Sequence, residues 1–307
     1  MADFPRTLTP VDGPHPPGAV QNGADGMGKY GAAVRELVAD GFIQPDLLTN
    51  MTLLLLAGQP RKPRTDGTKK PGATAGRVWV REQYTIHQPV AHAEVWRAEG
   101  EITGTYVRKG RSYSTTACRS FSSDGGPLAT NLTTGLLSYR PDPELEDSVQ
   151  GLALQDTPSP KPDWTAAASN PHLERLRRSQ VGDVFGGERV LMTFEMMAAR
   201  AGDAPDNPIH SDREKAKQAG LARPIAGGNH VLSFGLEAIM QGLGPQSLLH
   251  GAHLDVRWKA PTEDGVHIVP KATVTVVEPD RVVLDIHVGI DQGPTAMVAT
   301  VTIPITP

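Results

Sequence analysis

The segment DNPIHSD, residues 206–212, concentrates side chains that can move protons. His210 can accept and return a proton near neutral pH, and a carboxylate such as Asp206 can act beside it as a general base. Pro208 restricts the backbone and Asn207 can hydrogen-bond within its own turn, so these side chains are held in fixed directions. The combination predicts a site at which a carboxylate and a histidine share a proton-transfer step.

The residues after His210 predict a helix whose start influences the charge of the imidazole. Ser211 and Glu214 have the spacing of a capping box, which places a helix over about residues 212–219 with Gly220 ending it. The positive end of the helix dipole disfavours a second positive charge and lowers the pKa of a nearby imidazole. A neutral His210, able to accept a proton, is therefore expected.

The composition is that of a folded globular protein. The chain has 307 residues, 38% of them hydrophobic and 21% charged, which fits about two domains of ordinary size. The net charge of -4 provides no basic field for phosphates, so nucleic acid is excluded as an expected partner.

The lone cysteine and the lack of targeting signals indicate a cytoplasmic protein. Cys118 cannot form an intramolecular disulfide, which favours a reducing compartment, and it is expected to be a small buried strand residue. The first residues lack the charged and apolar regions of a signal peptide. The longest apolar run, residues 53–57, is far shorter than the ~20 residues of a membrane span, so no membrane partner is expected.

One structural pattern occurs twice along the chain. Bursts of alternating apolar and polar residues over 77–137 and again from residue 254 to the C-terminus predict two antiparallel meanders. Each follows an apolar helical stretch, one starting at Phe42 and the other at Ala226. Pro89 and Pro261 occupy matching turns, which gives an internal period of about 170 residues and indicates a duplicated domain.

The predicted architecture is α+β, with two antiparallel sheets that each wrap a central helix and pair edge to edge. We expect an N-terminal domain over 1–140 and a C-terminal domain with the proton-transfer motif over 173–307. The segment between them, 141–172, is rich in Pro, Ser and acidic residues and is predicted to be a linker.

The stretch AGDAPDNPIHSDREKAKQAGLARPIAGG resembles the signature of MaoC-like and R-specific enoyl-CoA hydratases. The resemblance lies in NPIH, in the spacing to Ala216 and Gly220, and in ARPI. It implies a tandem, or double, hot-dog fold whose first half is degenerate. It also implies reversible hydration of a trans-2-enoyl thioester of coenzyme A or acyl carrier protein to the (R)-3-hydroxyacyl product.

The same resemblance implies the roles of individual residues. The backbone N–H at Gly228, where the family glycine falls, would stabilise the enolate oxygen at the start of the central helix. The expected catalytic residues are Asp203, Asp206, Asn207, His210 and Gly228. The expected substrate-binding residues are Ser211, Arg223, Gly227 and Asn229.

The chain departs from the family pattern before the Asn. The family acid lies two residues before it, where this chain has Pro205. An insertion of Ala204 and Pro205 would make Asp203 the counterpart of the catalytic acid, whereas closeness to the NPIH turn favours Asp206. A third reading is that the insertion has abolished hydration or redirected the site.

Other functions and ligands follow less directly from the residues. A hot-dog thioesterase and a non-catalytic or repurposed thioester-binding protein are the alternative functions. The basic loop over 61–70 could contact coenzyme A phosphates, although such loops are usually solvated. His250 and His253 stand too isolated for a zinc site, so we expect no metal and no cofactor. A homodimer is left open.

Overall fold

The computed structural model describes residues 4–13, 18–59, 78–137, 141–152, 158–202 and 208–306. The helices are α1 (Ala19–Gly26), α2 (Ala32–Ala39), α3 (Asn50–Ala57), α4 (Leu173–Arg177), α5 (Phe194–Ala201), α6 (Arg213–Gln218) and α7 (Gly228–Leu243). Short 3-10 helices cover Gly28–Tyr30, Pro45–Thr49, Trp164–Ser169 and Pro208–His210. None of the helices in these ranges is long and apolar enough to cross a membrane.

The strands form two four-stranded meanders with short additions at their edges. The N-terminal meander is β3 (Val78–Ile86), β4 (Trp96–Arg108), β5 (Arg111–Phe121) and β6 (Pro127–Leu136). The C-terminal one is β10 (His253–Trp258), β11 (His267–Val277), β12 (Arg281–Ile290) and β13 (Thr295–Pro304). The edge strands are β1 (Arg6–Thr7), β2 (Val11–Gly13), β7 (Ser148–Gly151), β8 (Val184–Gly186) and β9 (Val190–Leu191).

The two halves repeat the same strand order and meet in one continuous sheet. The order runs β4-β5-β6-β3 in the N-terminal half and β10-β13-β12-β11 in the C-terminal half. β3 and β10 pair antiparallel, with Tyr84 opposite Leu254 and Glu82 opposite Val256. The predicted duplication and the predicted edge-to-edge pairing are both confirmed. The pairing removes an exposed edge from each half.

Each sheet is covered by a helix from its own half, but the two helices differ in length. α7 has 16 residues, and its apolar side chains are almost entirely buried. The N-terminal stretch predicted from Phe42 begins as a 3-10 helix at Pro45, where the fixed φ of proline favours a helix start, and continues into the 8-residue α3. Cys118 is buried on β5, as predicted.

The segment predicted as a linker packs against the joined sheet over its described residues. Its strand β7 pairs with β4, and the hydroxyl of Thr85 on β3 donates to the carbonyl of Lys161 at 2.7 Å. Asp163 begins the 3-10 helix Trp164–Ser169 by accepting from the backbone N–H of Thr165. The connection is therefore held both to the outer edge of the N-terminal sheet and to the strand at the seam between the halves. The domain boundaries themselves stay a prediction.

Candidate active site

His210 ends a 3-10 turn between α5 and α6, where a backbone carbonyl holds its ring. Its Nδ1 lies 2.7 Å from the carbonyl oxygen of Ile225. Because a carbonyl can only accept, Nδ1 carries a hydrogen, and in the neutral ring Nε2 is then the proton acceptor. Ile225 is itself held by a bridge to Glu263, so the orientation of the imidazole is set by the strand-like segment that precedes α7.

Burial supports the neutral state predicted for His210. Burial lowers the pKa of His210, and the hydrogen bond to Ile225 opposes that shift in part. A buried imidazole loses the hydration that would stabilise its positive charge, so the neutral form is favoured. Burial therefore favours the neutral form of this histidine.

The cap of the following helix is one residue later than predicted. Asp212, not Ser211, is the N-cap of α6: its Oδ1 accepts from the N–H groups of Glu214 and Lys215, each at 2.9 Å. A carboxylate oxygen can accept from two donors at once and also favours the helix dipole, so it displaces the hydroxyl from this role. The prediction of Ser211 as N-cap is wrong. Gly220, with φ 84°, ends the segment as predicted.

The start of α7 lies beside His210. Gly227 is the N-cap residue and has no side chain, so the N-cap itself does not accept from the first N–H groups of the helix. A Cβ placed on Gly227 would lie 3.9 Å from Nε2 of His210. The missing side chain therefore leaves room between the imidazole and the positive end of a 16-residue helix.

Gly228 has a packing role that the sequence did not reveal. The indole of Trp258 lies against it and donates from Nε1 to its carbonyl oxygen at 2.8 Å. A Cβ on Gly228 would come within 2.9 Å of Cε2 of Trp258. Only glycine permits this approach, which ties the start of α7 to the end of β10.

Two residues predicted to bind substrate are engaged elsewhere. The amide of Asn229 donates to Oδ1 of Asn50 at 3.0 Å, which links α7 to the first residue of α3. Arg223 is exposed and donates to the carbonyl of Asp264 at 3.2 Å. Their roles, like that of Ser211, stay predictions.

A buried ion pair lies close to the candidate site and was not predicted from the sequence. Arg200, on the last turn of α5, forms an ion pair with Asp46 of the N-terminal half, and the two side chains are only 7% and 1% exposed. Nη1 of Arg200 has no hydrogen-bond partner among the described residues. No periodicity or motif connects positions so far apart in the chain, and the only sequence signal was a single arginine on an otherwise Ala- and Met-rich helix.

His230 links this ion pair to the start of α7. Its Nε2 lies 2.8 Å from the carbonyl of Gly26 on α1. Burial, with the nearby Arg200 charge as the next cause, lowers the pKa of His230 to about 3. His230 is therefore neutral at physiological pH and acts as a hydrogen-bond donor between the halves.

Several predicted residues lie outside the described ranges. Asp203, Asp206 and Asn207 are among them, as is the basic loop over 61–70. Their functional roles remain predictions.

Metal-binding side chains do not cluster in the part of the chain that the structure describes, where no group of three His, Cys, Asp or Glu residues could hold an ion. His250 instead contacts the hydroxyl of Ser169 through Nδ1 at 2.9 Å. Nδ1 of His253 lies 3.1 Å from the hydroxyl of Thr85.

Comparison with known proteins identifies the fold through structure alone. No protein-family model matches the sequence, and no curated protein matches it. A solved structure described as a MaoC-like dehydratase superposes with a TM-score of 0.69 at 16% identity, covering 97% of each chain. The peroxisomal multifunctional enzyme type 2 from Drosophila melanogaster gives 0.62 at 16% identity, covering 97% of this chain and 48% of that one.

A third solved structure names the architecture directly. It is a conserved hypothetical protein from Mycobacterium tuberculosis described as having a double hotdog fold. It superposes with a TM-score of 0.62 at 13% identity, covering 97% of this chain and 96% of that one. The tandem sheet-and-helix halves, the strand order and these superpositions together assign the chain the double hot-dog fold that MaoC-like dehydratases also have.

Proposed function

We propose that the protein is an enzyme that reversibly hydrates a trans-2-enoyl thioester of coenzyme A or acyl carrier protein to the (R)-3-hydroxyacyl thioester. The observation that carries the proposal is the position of His210. Its ring is neutral, its Nε2 is the acceptor nitrogen, and it lies next to the start of α7, whose N-cap residue is a glycine without a capping side chain. The MaoC-like dehydratase superposition supports the same class of chemistry.

The proposed reaction uses these groups in one addition across the double bond. Water loses a proton to a base and its oxygen bonds to C-3, while C-2 receives a proton, so that one water molecule is consumed and nothing is oxidised or reduced. Nε2 of His210 and a carboxylate share the water: one removes its proton, and the other orients it or delivers the proton to C-2. The backbone N–H of Gly228 stabilises the negative charge that develops on the thioester oxygen.

Turnover of crotonyl-CoA tests the proposal. We expect loss of the enoyl absorbance without release of free thiol. Release of thiol would indicate a thioesterase instead, and the absence of both would indicate a thioester-binding protein or an acyl group that crotonyl-CoA does not offer. His210→Ala should lower kcat at least ~100-fold, the typical contribution of a positioned acid or base.

A matched control separates lost chemistry from lost structure. His92 is also half-buried and also contacts a backbone carbonyl, that of Phe42, at 2.9 Å, but it lies in the N-terminal half. His92→Ala should keep kcat within a few-fold of the parent. Near-parental turnover by His210→Ala would contradict the assignment.

The carboxylate is proposed to be Asp203, on the alignment that treats Ala204 and Pro205 as an insertion. Asp203→Asn should then abolish turnover in a folded protein, while Asp206→Asn should retain it. Because Asp212 already caps α6, Asp206 is not needed as the cap of that helix. The opposite result would assign the role to Asp206, and activity in both variants would rule out a carboxylate mechanism.

A further inference from the structure

The N-terminal sheet presents polar side chains to the helix that covers it. Thr52 on α3 lies beside Cys118, and the amide of Asn131 donates to the carbonyl of Leu48 at 3.3 Å, so both strand residues point toward the helix. Six residues on this face are at most 3% exposed and together form what we call the polar cluster: Glu82, Tyr84, Thr116, Cys118, Asn131 and Thr133.

The corresponding face of the C-terminal half is apolar. Across the seam, Tyr84 pairs with Leu254 and Glu82 pairs with Val256. Superposing one half on the other therefore makes Glu82 equivalent to Leu254 and Tyr84 equivalent to Val256. The pairings of the neighbouring strands extend the comparison to the other four positions, which are Leu284, Ile286, Ala299 and Val301. All six are buried. The fold itself therefore packs well without polar residues at these sites.

Hydrogen bonds within the polar cluster leave two strong groups unused. Oε1 of Glu82 accepts from Asn131 at 3.2 Å and from Thr133 at 3.1 Å. Oε2 of Glu82 and the hydroxyl of Tyr84 have no partner in the described part of the chain. Burying polar atoms without partners destabilises a protein, and such atoms in a native structure call for an explanation.

The polar cluster is adjacent to the candidate active site. Leu48 contacts Asn131 of the cluster, and Asn50, two residues along, contacts Asn229 at the start of α7. Asp46 of the same segment pairs with Arg200 and lies close enough to Tyr84 to act on it electrostatically. The 3-10 helix Pro45–Thr49 and the start of α3 therefore lie between the polar cluster and the start of α7. The contacts to the two sites are about one helical turn apart along this segment.

We infer that the acyl group of the thioester carries an uncharged hydrogen-bonding substituent, a hydroxyl or keto oxygen, which the polar cluster recognises, rather than a plain alkyl chain. The inference rests on the proposed function. A hydroxyl or keto group would pair with Oε2 of Glu82 and the hydroxyl of Tyr84, whereas an alkyl chain would leave both buried and unpaired.

A charged substituent fits the polar cluster less well. Its six side chains include no cation that could pair with a carboxylate. Burial raises the pKa of Glu82 to about 8, so this carboxyl group is protonated at neutral pH and can donate a hydrogen bond. The cluster is closed to solvent, and an acyl group would enter by displacing α3, which has half the length of α7 and leaves Leu53 37% exposed.

Calorimetric binding of saturated thioesters tests the inference without requiring turnover. The probes are two pairs matched in size, 4-hydroxybutanoyl-CoA with pentanoyl-CoA and 6-hydroxyhexanoyl-CoA with heptanoyl-CoA. We expect the hydroxylated member to bind at least ~10-fold more tightly in one pair or both. Equal affinities, tighter binding of the alkyl members, or no binding of any of them would overturn the inference.

Substitutions in the polar cluster test whether it causes the preference for the hydroxylated acyl group. Glu82→Leu with Tyr84→Val installs the residues of the C-terminal half and should abolish or reverse the preference for the hydroxyl group. If that protein does not fold, Tyr84→Phe removes only the phenolic oxygen and should reduce the preference several-fold. Thr115→Val alters a buried threonine on the opposite face of β5 and should leave it unchanged.

The outcomes distinguish the inference from the proposed function. A hydroxyl preference that depends on Glu82 and Tyr84, in a protein that hydrates neither crotonyl-CoA nor trans-6-hydroxyhex-2-enoyl-CoA, supports the binding site and rejects the reaction. A preference that survives these substitutions places the acyl group elsewhere and overturns the inference, whatever the enzyme does to enoyl thioesters.

Discussion

His210 is held by a hydrogen bond that also decides which of its nitrogens can react. A ring free to turn could present either nitrogen, but the carbonyl of Ile225 selects the Nδ1–H form and leaves Nε2 as acceptor beside α7. The motif predicted the histidine and its neutral state. It could not predict the partner, because Ile225 is an apolar residue whose backbone, rather than its side chain, makes the contact.

Nitrogen-15 spectra of histidine-labelled protein test this arrangement. Since burial lowers the pKa of His210, the imidazole should remain neutral as the pH falls through 6.5 and become protonated only below it. At pH 7 the neutral ring should be the Nδ1–H tautomer. His210→Asn identifies the resonance by its loss. Titration at or above pH 6.5, or an Nε2–H tautomer, would contradict the geometry.

The polar residues that join the two halves near the candidate site were not predictable from the sequence. Asn50, Asp46 and Arg200 are polar residues in otherwise apolar stretches, and each occurs without a recognisable spacing to the motif. Their importance comes from contacts across the two halves, such as the buried pair of Arg200 and Asp46. A charge placed in a low-dielectric interior is stable only with such a partner, so neither residue can be understood alone.

At the level of elements, the approach of α7 to β10 depends on adjacent glycines with different tasks. Gly228 admits the indole of Trp258, whereas Gly227 leaves space beside His210. The sequence showed a glycine pair at a helix start, and the family resemblance attached a catalytic role to Gly228. The contact with Trp258 is a matter of packing between distant segments, which a local pattern does not contain.

Alanine substitutions should separate these two tasks. Gly228→Ala forces the indole of Trp258 away, so we expect a loss of about 1–3 kcal/mol in unfolding free energy together with reduced turnover. The Cβ of Gly227→Ala meets only the flexible Asn229 side chain, at 3.0 Å, and lies 3.9 Å from His210. This variant should lose activity, by ~10-fold or more, while its stability changes little.

Denaturant titrations and steady-state rates measure both effects. Gly135→Ala is the matched control, because a Cβ at that strand position meets no atom of the described residues within 4 Å. It should leave rate and stability near the parent values. A stable, fully active Gly228→Ala protein would show that Trp258 can yield without cost and would refute the packing argument.

On the scale of the whole molecule, buried groups of opposite type make the stability depend on pH. Folding lowers the pKa of His230 to about 3. Its contribution to the free energy of unfolding is therefore complete above its unfolded pKa near 6.5 and is lost as the pH falls below that value. Folding raises the pKa of Glu82 to about 8. Its contribution to the free energy of unfolding is therefore complete below its unfolded pKa near 4.5 and is lost as the pH rises toward 8.

Replacing Glu82 should change the alkaline side of this dependence. Glu82→Gln cannot ionise, so its melting temperature should exceed that of the parent by an amount that grows between pH 5 and pH 8.5. Glu101→Gln, at a partly exposed position on β4, should show no such trend. Melting curves recorded across this range measure the difference. A constant offset at all pH values would mean that Glu82 is already ionised in the folded protein.

The architecture of the whole chain was largely predictable, and the reason is physical. Alternating side chains reveal a half-buried strand locally, and a pattern that occurs twice reveals a duplication. The meanders, α7 and the matched turns at Pro89 and Pro261 follow from such signals. The polar interior of the N-terminal half could not be predicted from such signals. Alternation shows which residues face inward, but it does not show whether their polar atoms have hydrogen-bond partners.

The join between β3 and β10 has a consequence for how such a protein can change. In a dimer of identical subunits every substitution occurs in both subunits. A residue that improves acyl binding in one subunit therefore also occurs at the equivalent position of the subunit that performs catalysis. Here both partners are encoded in one chain and always meet each other at the same seam. Glu82 and Tyr84 can therefore occupy positions held by Leu254 and Val256 across the seam, and each half is free to be selected for a different task.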